Sequence, residues 1–175
     1  MSMVHYQEVT LRDVAEQARY VLLVKKTEPF VGYEDVTIGE DPVKYPPFKK
    51  TKYNFIVSGR LDKAGDGPKI GEKIVAVDAG FVGKLEAHKS FYLHSRSKSP
   101  IIDKYESMAD FEKEKELILF ISFFSSGEYL FSAFESTSKS EEIKKILETF
   151  PPKAVDLAEE DVLKDSNIHK PLKPQ

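Results

Sequence analysis

The strongest pattern of apolar positions lies in the second half of the chain. Leu117 to Phe124 is apolar at almost every position, which is typical of a central strand that is covered on both faces. Tyr129 to Phe134 predicts the next strand, and Ser125-Ser126-Gly127 between the two runs is suited to a hairpin turn. This part of the chain therefore indicates two neighbouring antiparallel strands in the core of a sheet.

Earlier segments predict further strands. Tyr53 to Leu61 alternates with period two, so one face of this strand is expected in the core and the other in water. Between residues 28 and 50, four prolines break regular structure and favour a long connection with one edge strand near Val36 to Ile38. The remaining predicted strands are Tyr20 to Val24, Ile74 to Ala79 and Ala87 to His94.

A short helix is predicted at each end of this run of strands. Thr10 can cap the first helix and Asp13 stands three residues later, as in a capping box. Ser138 or Ser140 can cap the last helix, which ends before Pro151 and carries an apolar stripe of Ile143, Ile146 and Leu147. We therefore expect a mainly β fold, a barrel of OB-like type, with a short N-terminal helix and a C-terminal helix.

Length and composition favour one domain. The 175 residues, 41% of them hydrophobic, suffice for a single core, so we expect a barrel domain over residues 1–150. Residues 151–175 are rich in proline and charge and are expected to form a tail that packs loosely, with one weak helical pattern from Val155 to Leu163.

The chain has no cysteine, which excludes disulfides, thiolate metal sites and cysteine nucleophiles. Its net charge of −3 does not point to a polyanionic partner. No segment resembles a secretory signal or a membrane span, so the chain as given is expected in the cytoplasm; it would be an exported protein if a signal peptide had been removed.

Several stretches resemble netrin-like or OB-type barrels of the kind found in uncharacterised bacterial proteins. They are Leu11 to Lys26, Tyr53 to Asp62, Gly71 to Val77 and Phe111 to Ile121. The resemblance implies a barrel fold and no particular activity. Netrin-like domains usually carry disulfides, and since this chain has no cysteine, the inhibitor-type functions of that family are not implied.

One candidate site is a row of side chains on the predicted strand around His88. His88, Ser90, Tyr92 and His94 would share one face, but His88 and His94 would lie about 20 Å apart and could not bind the same ion. An enzyme site would have to gather His88, Tyr92 and His94 with a carboxylate from elsewhere. Ordinary polar positions explain the same residues, so we expect neither a metal nor another cofactor.

A second candidate site combines lysines with aromatic residues between Lys44 and Tyr53. Exposed rings that stack on bases, beside cations that contact phosphates, are the features that bind single-stranded nucleic acid. The alternative is that Tyr53 and Phe55 belong to the core and the lysines only keep an edge strand soluble. The residues concerned are Lys44, Tyr45, Phe48, Lys49, Lys50 and Lys52, extended by Arg60 and by a second basic stretch with His88, His94 and Arg96.

The sequence contains no phosphate-binding loop, dinucleotide fingerprint, nucleophile elbow or zinc-protease motif. The leading hypothesis is therefore a non-catalytic binding or protein-interaction module, whose ligand contacts a barrel face or the loops at 40–52 and 80–104. A binder of single-stranded nucleic acid or another polyanion is the alternative. A small enzyme, and an apolar ligand inside the barrel, are further hypotheses.

Overall fold

The computed structural model describes residues 5–27, 32–38, 48–80, 101–123, 127–150 and 166–169. These residues form a mainly β fold. The strands are β1 His5–Glu8, β2 Tyr20–Lys26, β3 Gly32–Ile38, β4 Phe48–Arg60, β5 Lys73–Asp78, β6 Ile101–Lys104, β7 Glu116–Phe123, β8 Tyr129–Glu135 and β9 Ser166–His169. The helices are α1 Leu11–Gln17 and α2 Ser140–Thr149, and a 3₁₀ turn at Thr137–Lys139 precedes α2.

Five strands close into a barrel. Their order is β2-β7-β8-β5-β4, and β4 returns to pair with β2. All neighbours are antiparallel except β5 and β8, which pair in parallel through Val77 with Leu130 and Asp78 with Phe131. The predicted mainly β class, with an OB-like barrel between two short helices, is confirmed.

The other strands extend this barrel or lie apart from it. β4 is long because its first half pairs with β3 while its second half belongs to the barrel wall. β9 pairs with β3 on the other side, so residues 166–169 of the predicted tail continue the sheet. β1 and β6 form a separate parallel pair of strands.

The apolar run in β7 is explained by two separate cores. Leu117, Leu119 and Ile121 point into the barrel, where they pack with residues such as Phe55. Ile118 and Phe120 point outward and pack under the helices. Residues 117 to 121 are all fully buried, which confirms the prediction of a strand covered on both faces.

Helices α1 and α2 form the outer cover of this side of the barrel. Thr10 caps α1 through the predicted capping box, since its hydroxyl accepts from the Asp13 amide and its own amide donates to the Asp13 carboxylate. Val14 and Ala15 from α1 and Ile143 from α2 then complete the outer core. The two helices therefore flank the sheet over β7.

The predicted cap of the last helix is wrong. Ser136 begins the 3₁₀ turn, and its hydroxyl accepts from the Ser138 amide, whereas α2 itself follows Lys139 without a side-chain cap. The 3₁₀ turn lies between the capping residue, Ser136, and the helix. The Ser140 amide donates to the Thr137 carbonyl, so the first amide of α2 is satisfied by the turn.

One end of the barrel is closed by the segment after β6. Phe111 packs there against Tyr53, Phe131 and Phe134, with ring centroids 4.9 to 5.7 Å apart. The Lys26 ammonium donates to the Phe111 carbonyl and lies 4.9 Å from the centre of its ring. An aromatic plug thus excludes water from this end of the barrel core.

Glu135 fastens this segment to β8. Its carboxylate is fully buried and accepts from the Tyr105 hydroxyl at 2.5 Å, the Met108 amide at 2.8 Å, the Ser107 hydroxyl at 3.2 Å and the Ser136 amide at 2.7 Å. Burial, together with the hydrogen bond to Glu135, raises the pKa of Tyr105, so the phenol stays a donor well into the alkaline range.

The opposite end of the barrel is closed by the loop between β4 and β5. Gly67 has φ of +95° and lies against the ring of Tyr20, where a Cβ would come within 2.6 Å of ring carbon. Gly71 has a similar φ of +90° but open space around it. Both positions favour glycine for backbone reasons, and only Gly67 also needs it for close packing.

This difference predicts unequal effects of two alanine substitutions. Gly71→Ala should cost about 1 kcal/mol, because only the left-handed backbone is penalised. Gly67→Ala should cost roughly 1–3 kcal/mol more, since the methyl group also overpacks the Tyr20 ring. Urea denaturation of both variants measures the difference, and equal losses would show that the loop does not press on Tyr20.

Candidate binding face

The outer face of β4 and β5 is the part of the barrel wall to which α1 and α2 contribute no core residues. Tyr53, Phe55 and Val57 on β4 pack in or against the barrel core, as do Ile74 and Ala76 on β5, so the alternate residues face outward. On β4 these are Lys52, Asn54, Ile56 and Ser58, and on β5 they are Lys73, Val75 and Val77, of which only Val77 is fully buried. We refer to the six that are at least partly exposed as the β4–β5 face.

This face presents an apolar centre between cationic ends. Val75 is 43% exposed and stands opposite Asn54. Ile56, directly cross-strand from Lys73, is half-buried, and Lys73 itself is exposed. Lys52 stands at the other end, which is more enclosed: it lies opposite the fully buried Val77 and pairs with Glu128. The arrangement can contact apolar groups and carboxylates or phosphates at the same time.

Two of the lysines predicted to bind nucleic acid converge on one carboxylate. The Lys50 ammonium lies 2.6 Å from Glu128 Oε1, and the Lys52 ammonium lies 3.5 Å from Glu128 Oε2. Lys50 is only 2% exposed, whereas the side chain of Lys52 is 25% exposed. Lys52 therefore reaches the surface, while Lys50 joins β4 to the segment that precedes β8.

Arg60 is held inside the loop that closes the barrel. Its Nε and Nη2 donate to the Asp62 carboxylate at 3.0 and 2.5 Å, and its Nη1 donates to the carbonyls of Asp66 and Pro68. The hydrogen bonds to Asp62 raise the pKa of Arg60. This network fixes the loop between β4 and β5 and uses most of the guanidinium donors within the protein.

Tyr20 completes the same network. Its hydroxyl donates to Asp66 at 2.8 Å, and burial, followed by this hydrogen bond, raises the pKa of Tyr20 to about 12. The hydrogen bond from Tyr20 in turn holds the pKa of Asp66 below its usual value. The phenol thus remains protonated when the loop is closed.

Raising the pH should weaken the fold through Tyr20. A tyrosine that ionises near pH 10 when unfolded and about 12 when folded stabilises the fold fully below pH 10, and that contribution is lost between pH 10 and 12. Asp66→Asn should lower the pKa of Tyr20. The difference in ultraviolet absorbance between the wild type and Tyr20→Phe follows this titration, and an unchanged pKa in Asp66→Asn would contradict the assignment.

Other residues predicted as site residues have no described side-chain placement. Lys44, Tyr45, His88, Tyr92, His94 and Arg96 lie outside the described residues, as do the predicted strand from Ala87 to His94 and the helical pattern from Val155 to Leu163. Phe48 and Lys49 are described as backbone positions at the start of β4. The structure brings together Lys50 and Lys52, and it places Arg60 toward the other end of β4.

Val75 and Lys73 were not predicted from the sequence as candidate binding residues. The sequence gives no signal for Val75, because Ile74 to Val77 is apolar at every position, and only burial in the folded strand separates the exposed Val75 from Ile74 and Ala76.

Among the described residues, no group of three or more histidine and acidic side chains could hold a metal ion. No helix in the same part of the chain is long and apolar enough to cross a membrane. Comparison with protein-family models, curated proteins and solved structures finds no match to this chain.

Proposed function

We propose that this protein is a non-catalytic binding module for a protein partner, and that the β4–β5 face is its docking surface. The observation that supports this proposal is the unequal cover of the barrel wall. Helices α1 and α2 pack over β7 with a second buried core, whereas Val75 on β5 is 43% exposed between lysines. An exposed apolar centre with a polar rim is typical of a protein-binding surface.

The aromatic rings whose placement is described favour a protein partner over nucleic acid; Tyr45 and the ring of Phe48 are not among them. Tyr53 and Phe55 pack with the barrel core, where Tyr53 contacts Phe111 and Phe131. The β4–β5 face itself consists of lysine, asparagine, serine and aliphatic residues. Base stacking on aromatic rings is a main source of affinity for single strands, and these residues do not supply it.

Selection from a random peptide display library tests the docking surface. Peptides enriched on the wild-type protein should lose most of their binding to Val75→Glu, because the substitution replaces the apolar centre of the face by a hydrated carboxylate. Met108→Glu is the matched control, since Met108 is 75% exposed and lies in the segment fastened by Glu135. Enriched peptides that bind both variants equally, or a library that yields none, would contradict the proposal.

Single-stranded nucleic acid is the second candidate ligand, favoured by the presence of Lys52 and Lys73 on one face. This hypothesis predicts binding of oligo-dT that weakens steeply with salt and is abolished when Lys49, Lys50 and Lys52 are all replaced by alanine. Because Lys50 is buried beside Glu128, the single variant Lys52→Ala is the necessary companion. Salt-insensitive binding, or an unaffected triple variant, would remove this candidate.

A further inference from the structure

The C-terminal strand β9 covers the outer edge of β3. It pairs antiparallel with β3 over its four residues, from Ser166 opposite Ile38 to His169 opposite Asp35. In the sheet that the described residues form, β3 is its one neighbour, so β9 is the edge strand at this end. Short elements at the margin of a fold open locally more readily than core strands. The cross-strand pairs between β9 and β3 therefore decide how firmly β9 is docked.

One row across β4, β3 and β9 combines a cation, a carboxylate and a histidine. Asp35 on β3 stands opposite Lys49 on β4 and, on its other side, opposite His169 on β9. Residues directly opposite each other in an antiparallel pair share one face, with about 4.5–5.5 Å between their Cβ positions. Because neighbouring strands are about 4.8 Å apart, His169 is roughly twice as far from Lys49 as from Asp35. The charged residue nearest to His169 in this row is thus an aspartate.

The other ionisable residues of these strands leave this arrangement unchanged near neutral pH. Glu34 precedes Asp35 and belongs to the opposite face, because successive residues of a strand alternate between faces. Tyr33 shares the face of Asp35 but is neutral below about pH 10. In β3, β9 and the half of β4 that pairs with β3, Asp35 and Lys49 are therefore the charged residues on the face of His169.

We propose that β9 is a pH-dependent strap on the edge of β3, docked more firmly when His169 is protonated opposite Asp35. Histidine exchanges its proton near pH 6.5, and an adjacent carboxylate favours the charged form. The stabilising contribution is therefore present below about pH 6.5 and is lost as rising pH deprotonates the ring. Lys49 opposes protonation, but it acts over about twice the distance and thus more weakly.

Release of the strap changes what the sheet exposes, and it does so independently of the β4–β5 face. Without β9, the outer edge of β3 presents unpaired backbone amides and carbonyls to the solvent. An exposed cross-strand ion pair shifts an equilibrium of this kind about two- to fivefold. Docking of β9 should therefore be stronger by that factor in mildly acidic than in mildly alkaline solution.

The titration of the His169 ring, followed by nuclear magnetic resonance of the full chain, tests the pairing. Its resonance is identified by its loss in His169→Gln. The midpoint should lie about 0.3–0.7 pH units higher in the wild type than in Asp35→Asn, which is the two- to fivefold preference on a logarithmic scale. Lys49→Ala should raise the midpoint further, because it removes the opposing cation. A midpoint that is equal in the wild type and Asp35→Asn, or lower in the wild type, would overturn the proposal.

Hydrogen exchange of the β9 amides measures docking itself. The wild type and His169→Gln are compared at the same pH, so that the pH dependence of the chemical exchange cancels. The wild-type amides should be about two- to fivefold better protected than those of the variant at about pH 5.5, and equally protected at about pH 8. Equal protection at both values, or better protection of the wild type only at the higher one, would contradict the strap.

A variant that releases β9 links the two measurements. Ile168 stands opposite Val36, and Ile168→Gly removes this apolar pair without placing a charge beside His169. When exchange shows that its β9 amides have lost their protection, the His169 ring should titrate at the midpoint found for Asp35→Asn. A wild-type midpoint in the released strand would show that docking and protonation are not coupled, and the proposal would fall.

Discussion

Glu135→Ala is expected to destabilise the protein by about 3–5 kcal/mol, which is a large share of the stability of a typical domain. The substitution removes one fully buried carboxylate and leaves four donors without their acceptor. Three of those donors belong to the segment from Tyr105 to Met108, so the loss also frees the Phe111 plug from the end of the barrel. Urea denaturation of the variant measures the loss.

A second substitution and a control define the cause of this effect. Glu135→Gln keeps the size and one acceptor oxygen, and it should lose roughly half as much stability as the alanine variant. Glu141→Ala is the matched control, because this glutamate on α2 has a side chain that is 82% exposed and pairs only with Lys144 in the described surroundings. It should cost less than about 0.5 kcal/mol. A loss below about 1 kcal/mol in Glu135→Ala would show that the carboxylate does not hold the segment.

Phe120→Ala is expected to cost about 3–5 kcal/mol, since it opens a large cavity in the outer core between β7 and the two helices. For a chain of this size, such a loss lowers the melting temperature by roughly 10 °C. Thermal unfolding followed by circular dichroism measures it.

The companion variant for this core is Ile143→Ala on α2, which should cost about 2–4 kcal/mol because Ile143 is fully buried in the same core. Lys144→Ala on the exposed side of that helix is the control and should change stability by less than about 0.5 kcal/mol. If the Phe120 and Ile143 variants behaved like the control, the helices would not cover this side of the barrel, and the contrast with the β4–β5 face would disappear.

The strands with strong local patterns could be predicted from the sequence. The continuous apolar run of β7 correctly predicted burial on both faces of that strand, and the alternation around Tyr53 correctly predicted which face of β4 points into the core. Both predictions work because side chains on a strand alternate between its faces. The cap at Thr10 was equally readable, since the capping box is formed by residues only three positions apart.

Which strands pair with each other around the barrel could not be predicted from these local patterns. The parallel contact of β5 with β8 and the closure of β4 on β2 join residues that are far apart in sequence, and period-two patterns carry no information about partners. The start of β4 at Phe48 was missed for the same reason, because its first half is stabilised by pairing with β3 rather than by a local apolar pattern.

The burial of charged residues could not be predicted from the sequence either. Lysine and glutamate are almost never fully buried unless they are paired, so Lys50 and Glu135 would be assigned to the surface by composition alone. Their partners, Glu128 and the segment around Tyr105, become visible only when the fold brings them together. Of the two lysines on the β4–β5 face, Lys52 was predicted from the sequence and Lys73 was not, and burial of Lys50 could not be foreseen.

The most direct measurement of the central claim is a map of amide perturbations in the ¹⁵N-labelled full chain, recorded with a peptide enriched by display selection. The largest changes are expected on β4 from Lys52 to Ser58 and on β5 from Lys73 to Val77, and Val75→Glu should abolish them. Changes centred on α1 and α2, or on the loop that contains Gly67, would contradict the assignment of the β4–β5 face as the docking surface.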